Sequence, residues 1–235
     1  MNFHGSKKYE KLMEDLDVQV FSHCDLSTPT DVKKLDEDYY VNRYYYADIE
    51  HKKPGWAPVD GEICRLYRND KFLFEWKNID AHSRMITIIN HSDGNKYLLF
   101  DEDLYGYSVL NLETLQCVHY IPEESYREDD IEETFIWCIP HYDKDSDLIA
   151  VEGCMWASPY SVIVLDFSHP MNIVKASEWY DLWQEREPFD YDEYVGDLDL
   201  NFVSWEIDTL RCTDLVLDKK VLKEKLVKLR GNEND

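Results

Sequence analysis

The chain is short of positive charge. Its 25 Lys and Arg face 49 Asp and Glu, giving a formal net charge of −24. That deficit argues against nucleic-acid binding by direct phosphate contact, which needs Lys and Arg to displace counterions. Long apolar runs are also missing. None approaches the roughly 20 residues that span a bilayer, so no membrane segment is expected. Met1-Asn-Phe-His-Gly-Ser-Lys-Lys8 lacks the apolar run of a secretion signal. No two of the cysteines at 24, 64, 117, 138, 154 and 212 form a C-x-x-C pair. A cytoplasmic chain with free thiols is the expectation. Nucleophile-elbow, Walker, Rossmann and His-Glu-x-x-His signatures are all absent, so no catalytic residue and no cofactor are expected, and the chain reads more as a binder than as an enzyme.

What is abundant is aromatic. Tyr occurs 17 times and Trp 7 times, which argues against disorder and favours strands, where rings suit a half-buried pleated surface. The 235 residues suit one domain. Within it the pattern separates an N-terminal helix and loop (1–38), repeated β units (39–174), a helix with closing strands (175–217), and a C-terminal helix and tail (218–235).

Tyr9, Leu12, Met13 and Leu16 share one face of a helix over 6–17. Residues 22–38 are polar and read as a loop, or as a short helix from about Thr30. Strands follow at 39–48, 61–67 and 71–76, the last two joined by a tight Asn69-Asp70 turn. The segments 85–89, 96–100, 107–112 and 117–121 then read as a four-stranded antiparallel meander. Another unit begins at Phe135, with strands at 135–139, 148–151 and 161–167, and a fourth starting at Asn172. Tyr107-Ser-Val matches Tyr160-Ser-Val, and Gly61 matches Gly106. Ser177–Glu185 reads as a helix with Trp179, Leu182 and Trp183 on one face. Residues 198–207 alternate as a strand, 211–217 pairs with it, and 218–230 is a basic helix.

The spacing of these units is near the roughly 40–50 residues of a propeller blade. They resemble WD40-like β-propeller repeats over residues 39–174, without that family's Gly-His and Trp-Asp signatures. The stretch Gly153-Cys-Met-Trp-Ala-Ser-Pro-Tyr160 resembles a segment of uncharacterised bacterial cytosolic proteins, and that resemblance implies no activity. The expected fold is mainly β: antiparallel four-stranded meanders, propeller-like and either open or completed from the termini, with short terminal helices.

Two candidate surfaces follow. Loops between second and third strands carry Asp48, Trp56, Asp101, Tyr105, Glu152 and Trp156, acids and rings suited to the pocket of an enzyme or of a binder of a sugar or a small cationic ligand. In this pattern the acids just after the second strands, Asp48, Asp101 and Glu152, are equivalent. Acidic segments at 123–133 and 185–199 carry Glu123, Glu124, Asp129, Asp130, Tyr191, Asp192 and Tyr194. Carboxylates mixed with tyrosines suit a basic protein partner. Asp143, Asp145 and Asp147 have the alternation that opens a calcium loop. Leu148 stands where that loop needs Gly, and Cys154 where it needs Glu, so a solvated turn is the better reading and no metal is expected. Cys117-x-His119 and Cys138-x-x-His141 lack the paired spacing of a zinc site.

Overall fold

A computed structural model describes residues 2–3, 7–51, 54, 58–79, 85–101, 105–122, 134–155, 160–185, 203–212 and 215–231. Four sheets form. The first contains β2 (Asp31–Lys34), β3 (Tyr39–Asp48), β4 (Val59–Arg68) and β5 (Lys71–Asn78), in that order. The second is β6 (Ile86–Asn90), β7 (Lys96–Phe100), β8 (Tyr107–Asn111) and β9 (Cys117–Tyr120), to which β1 (Asn2–Phe3) adds a parallel edge. The third is β10 (Ile136–Asp143), β11 (Leu148–Cys154), β12 (Tyr160–Asp166) and β13 (Tyr180–Asp181). A short fourth sheet has β14 (Val203–Trp205), β15 (Thr209–Cys212) and β16 (Leu215–Asp218). Helices α1 (Lys7–Gln19) and α2 (Lys219–Gly231) flank the set. The fold is mainly β, an open propeller-like array of antiparallel meanders with helices at both ends.

Side-chain alternation explains how the sheets stack. Along β7, Leu98 and Phe100 face the first sheet, where they meet Val41, Cys64, Leu66 and Trp76. Tyr97 and Leu99 face the third sheet and meet Trp137, Ile149, Val151 and Leu165. A strand buried on both faces therefore reads as a continuous apolar run. The third sheet repeats the device: Leu148, Ala150, Val162 and Val164 point outward to Leu210 and Cys212 of the fourth sheet and to Leu222 and Leu226 of α2. At the opposite end, Leu16, Val20 and Phe21 cover Tyr44 and Ile63 on the outer face of the first sheet. Each fully buried aliphatic side chain contributes about 1.5–3 kcal/mol. The two helices thus take the place of capping repeats in an array that does not close on itself.

Local chemistry sets the turns. Asn69 and Asp70 have φ of 48° and 64°, the left-handed pair that a two-residue hairpin requires and that Asn and Asp tolerate. The turn after β6 is held by Asp93, whose carboxylate accepts from the Asn95 N–H and the Tyr97 hydroxyl, each at 2.8 Å. Burial alone would raise the Asp93 pKa, but these donors and His91 outweigh it and hold it at about 2. Because the folded value lies below the ordinary one, this contribution is complete above about pH 4 and is lost as pH falls towards 2. The expected result is that Asp93→Asn flattens the acid limb: between roughly pH 5 and pH 2.5 the melting temperature of the variant falls less than that of the wild type, measured by circular dichroism.

Several expectations are corrected. The polar stretch at 22–38 contains β2, the first strand of the first unit, so that unit begins at Asp31 instead of Tyr39. Residues 172–174 are not a strand. The Val174 N–H donates to the Tyr107 hydroxyl at 2.9 Å, and Val174 O accepts from the Trp179 indole at 2.9 Å, so side chains replace the ladder. Ser177–Glu185 is not one helix. It is a 3₁₀ turn, the strand β13 and a second 3₁₀ turn. Trp179 enters the core between the second and third sheets, while Tyr180 and Leu182 enter the core on the far side. Successive residues bound for opposite faces require extended backbone. Within 198–207, the described strand is Val203–Trp205, and Ile207 lies in the following turn, exposed.

Candidate functional site

The three loop acids are not equivalent. With Gly61 matched to Gly106 and Tyr107 to Tyr160, Cys64, Val109 and Val162 correspond along the third strands. Their cross-strand partners are Arg43, Leu99 and Glu152. Glu152 therefore lies inside β11, at the position held by Arg43 in the first unit and Leu99 in the second. Asp48 ends β3, and Asp101 immediately follows β7.

Their surroundings differ accordingly. Asp48 accepts from the His51 backbone N–H at 3.2 Å and pairs with its Nδ1 at 2.8 Å. Asp101 is buried, its N–H donating to Met85 O at 3.1 Å, and its charge acts on Lys33 of β2 across the seam to the first sheet. Tyr105 is half-buried just before β8. Among the described residues, no three His, Cys, Asp or Glu side chains gather as a metal site would require. Trp56, Trp156, Glu123, Glu124, Asp129, Asp130, Tyr191, Asp192 and Tyr194 lie outside the described residues. Asp143, first of the alternating acids, bonds Lys219 Nζ at 2.7 Å, and Asp147 accepts from the Tyr142 hydroxyl at 2.6 Å.

Glu152 has a partner that the sequence did not announce. Its side chain is 1% exposed and bonds Nε2 of His141, which is 27% exposed. His141 stands opposite Ala150 in the β10–β11 ladder, a diagonal neighbour of Glu152 within side-chain reach. The strand expected at 135–139 stops short of His141, whereas β10 continues to Asp143. The indole of Trp205 donates to His141 O at 2.8 Å, tying the fourth sheet to the pair. Cys212 lies in the same seam. Burial, and then the Glu152 charge, push its thiol up to about 12, so it stays protonated and is no nucleophile at neutral pH. A buried carboxylate that orients a partly exposed imidazole is an arrangement suited to a base or a ligand donor. Glu152→Gln is expected to lower stability by about 1.5–3 kcal/mol in urea titration, the cost of losing a charge-assisted bond in a buried place.

A second buried charge sits between the first and second sheets. Glu62, 1% exposed, accepts from Arg43 Nε at 2.8 Å and from Asn78 Nδ2 at 3.4 Å. Arg43 also reaches Asp31 at 3.2 Å. Across the seam, Ser108 and His119 share a 2.8 Å bond. Cross-strand register brings these groups together, which spacing along the chain does not reveal.

Two shallow grooves, of about 240 and 200 Å³, lie on either side of Arg230 near the end of α2. Arg230 pairs there with Asp166 at 2.7 Å and Glu178 at 3.0 Å. Neither groove touches the loop residues singled out by sequence. No helix among the described residues is long and apolar enough to cross a membrane. Comparison with known protein families, with characterised proteins and with solved structures returns no match.

Proposed function

We propose that the protein is a cytoplasmic, non-catalytic binding module for a basic protein partner. The observation that carries this reading is the charge of −24, together with where the cations go. Arg43, Arg65, Lys77, Lys96, Arg211, Lys219, Lys225 and Arg230 all pair with carboxylates of the fold itself. The remaining acid excess steers cationic surfaces inward from solution. The acidic segments with Glu123, Glu124, Asp129 and Asp130, and with Tyr191, Asp192 and Tyr194, belong to the same reading. Fluorescence anisotropy of a labelled oligolysine tests it: saturable binding at about 50 mM salt that is lost near 500 mM is expected, and salt-independent binding or none would count against it.

The His141–Glu152 pair favours a second reading, a small-ligand site at the seam of the third and fourth sheets. A thermal-shift screen with zinc, sugars and small cations, on wild type and His141→Ala, separates the two. A stabilising ligand that loses its effect in His141→Ala supports the second reading; no such ligand leaves the first.

A further inference from the structure

Arg230 is held by two acids that the fold fixes without it. Asp166 ends β12, and its Oδ1 accepts from the Ser168 N–H at 2.9 Å. Glu178 closes the 3₁₀ turn Ala176–Glu178, and its Oε1 accepts from the Lys175 N–H at 3.2 Å. The second oxygen of each carboxylate meets Arg230: Oδ2 of Asp166 accepts from Nη1 at 2.7 Å, and Oε2 of Glu178 from Nε at 3.0 Å. The acid side chains are 26% and 15% exposed, that of Arg230 41%. The cation reaches them on a long, flexible side chain from the last turn of α2. Such partly exposed pairs are worth little, so one guanidinium can exchange for another at low cost. Room for a second one is at hand, because the two grooves share Asp166, Ser168 and Arg230 and form one furrow when Arg230 swings out. The charged lining is then Asp147, Asp166 and Glu178 against Lys223, with His169 at one end. Ile173, Leu226 and Val227 supply apolar wall for the stem of a side chain.

We propose that this furrow receives an arginine side chain of the basic partner, and that Arg230 occupies it in the free protein as an internal competitor. The inference rests on the basic-partner reading and adds the place, the side chain and a built-in restraint on affinity. Bridging two carboxylates through Nε and Nη1 requires a planar fork of donors, which lysine lacks.

The test is fluorescence anisotropy of labelled oligoarginine and oligolysine, each of about eight residues, at about 50 mM salt. Arg230→Ala is expected to bind oligoarginine at least about fivefold tighter than the wild type, and oligolysine within about twofold of it. Arg211→Ala removes the same charge from an exposed pair with Glu206 on the fourth sheet, and it should change neither probe by more than about twofold. Adding Asp166→Asn to Arg230→Ala should return oligoarginine to its wild-type affinity. Arg230→Lys keeps the charge but cannot bridge both carboxylates, so it should gain in the same direction; it decides the matter should the alanine variant lose its fold by circular dichroism. A gain shared by oligolysine or by Arg211→Ala assigns the effect to bulk charge, overturns the furrow and leaves the basic-partner reading standing. Unchanged or weaker oligoarginine binding to the Arg230 variants does the same. Failure of both probes to bind any of the proteins overturns the basic-partner reading as well.

Discussion

Urea denaturation of a Leu222→Ala, Leu226→Ala double variant is expected to find little stability left. Both side chains are at most 3% exposed and close the outer face of the third sheet. Each truncation costs about 2–5 kcal/mol where the site cannot collapse. The two residues share neighbours one helical turn apart, so their effects do not simply add. Even so, the combined loss approaches the roughly 5–15 kcal/mol that holds a domain folded. The outer ion pairs of α2, Lys225–Glu185 and Arg230–Asp166, are partly exposed and worth little. If α2 were a peripheral appendage, the variant would unfold at the wild-type urea concentration.

Gly153→Ala is expected to be the most damaging single methyl addition in the third sheet. A Cβ at this position would lie 2.0 Å from the Ile136 carbonyl oxygen and 2.6 Å from the Phe135 ring. Gly153 pairs with Trp137 where the β10–β11 register shifts. Overpacking costs typically 1–3 kcal/mol, and more when the obstacle is backbone. A loss of about 3 kcal/mol or more is expected in urea titration, with Gly231→Ala as the control. Gly231 has nothing within 4 Å of its virtual Cβ and lies at the end of α2, so its change should stay within about 1 kcal/mol. Near-equal effects at the two glycines would contradict the close approach.

Much of the meander was legible in the chain because period-2 alternation and turn residues are local signals. Asn69-Asp70 and the Tyr107-Ser-Val and Tyr160-Ser-Val starts are examples: β8 and β12 both begin at the tyrosine. β2 was hidden because its residues Asp-Val-Lys-Lys form an exposed edge with almost no apolar signal. β13 was hidden because Trp179 and Leu182 mimic helical spacing while entering different cores. The candidate site was less legible still. Glu152 drew attention as an acid beside a Cys-Met-Trp turn, yet its meaning lies in His141, a cross-strand neighbour. The acids at 48, 101 and 152 looked equivalent by position along the chain, and only pairing register shows that Arg43 and Leu99 are the counterparts of Glu152.

The central functional claim, recognition of a basic partner, is tested most directly by affinity capture from a cell extract with stepwise salt elution and quantitative mass spectrometry. The prediction is one or a few basic proteins, near-stoichiometric with the bait, released between about 50 and 500 mM salt as screening shortens the reach of its charge. Retention of acidic partners through the highest step, or no stoichiometric partner at any step, would contradict it.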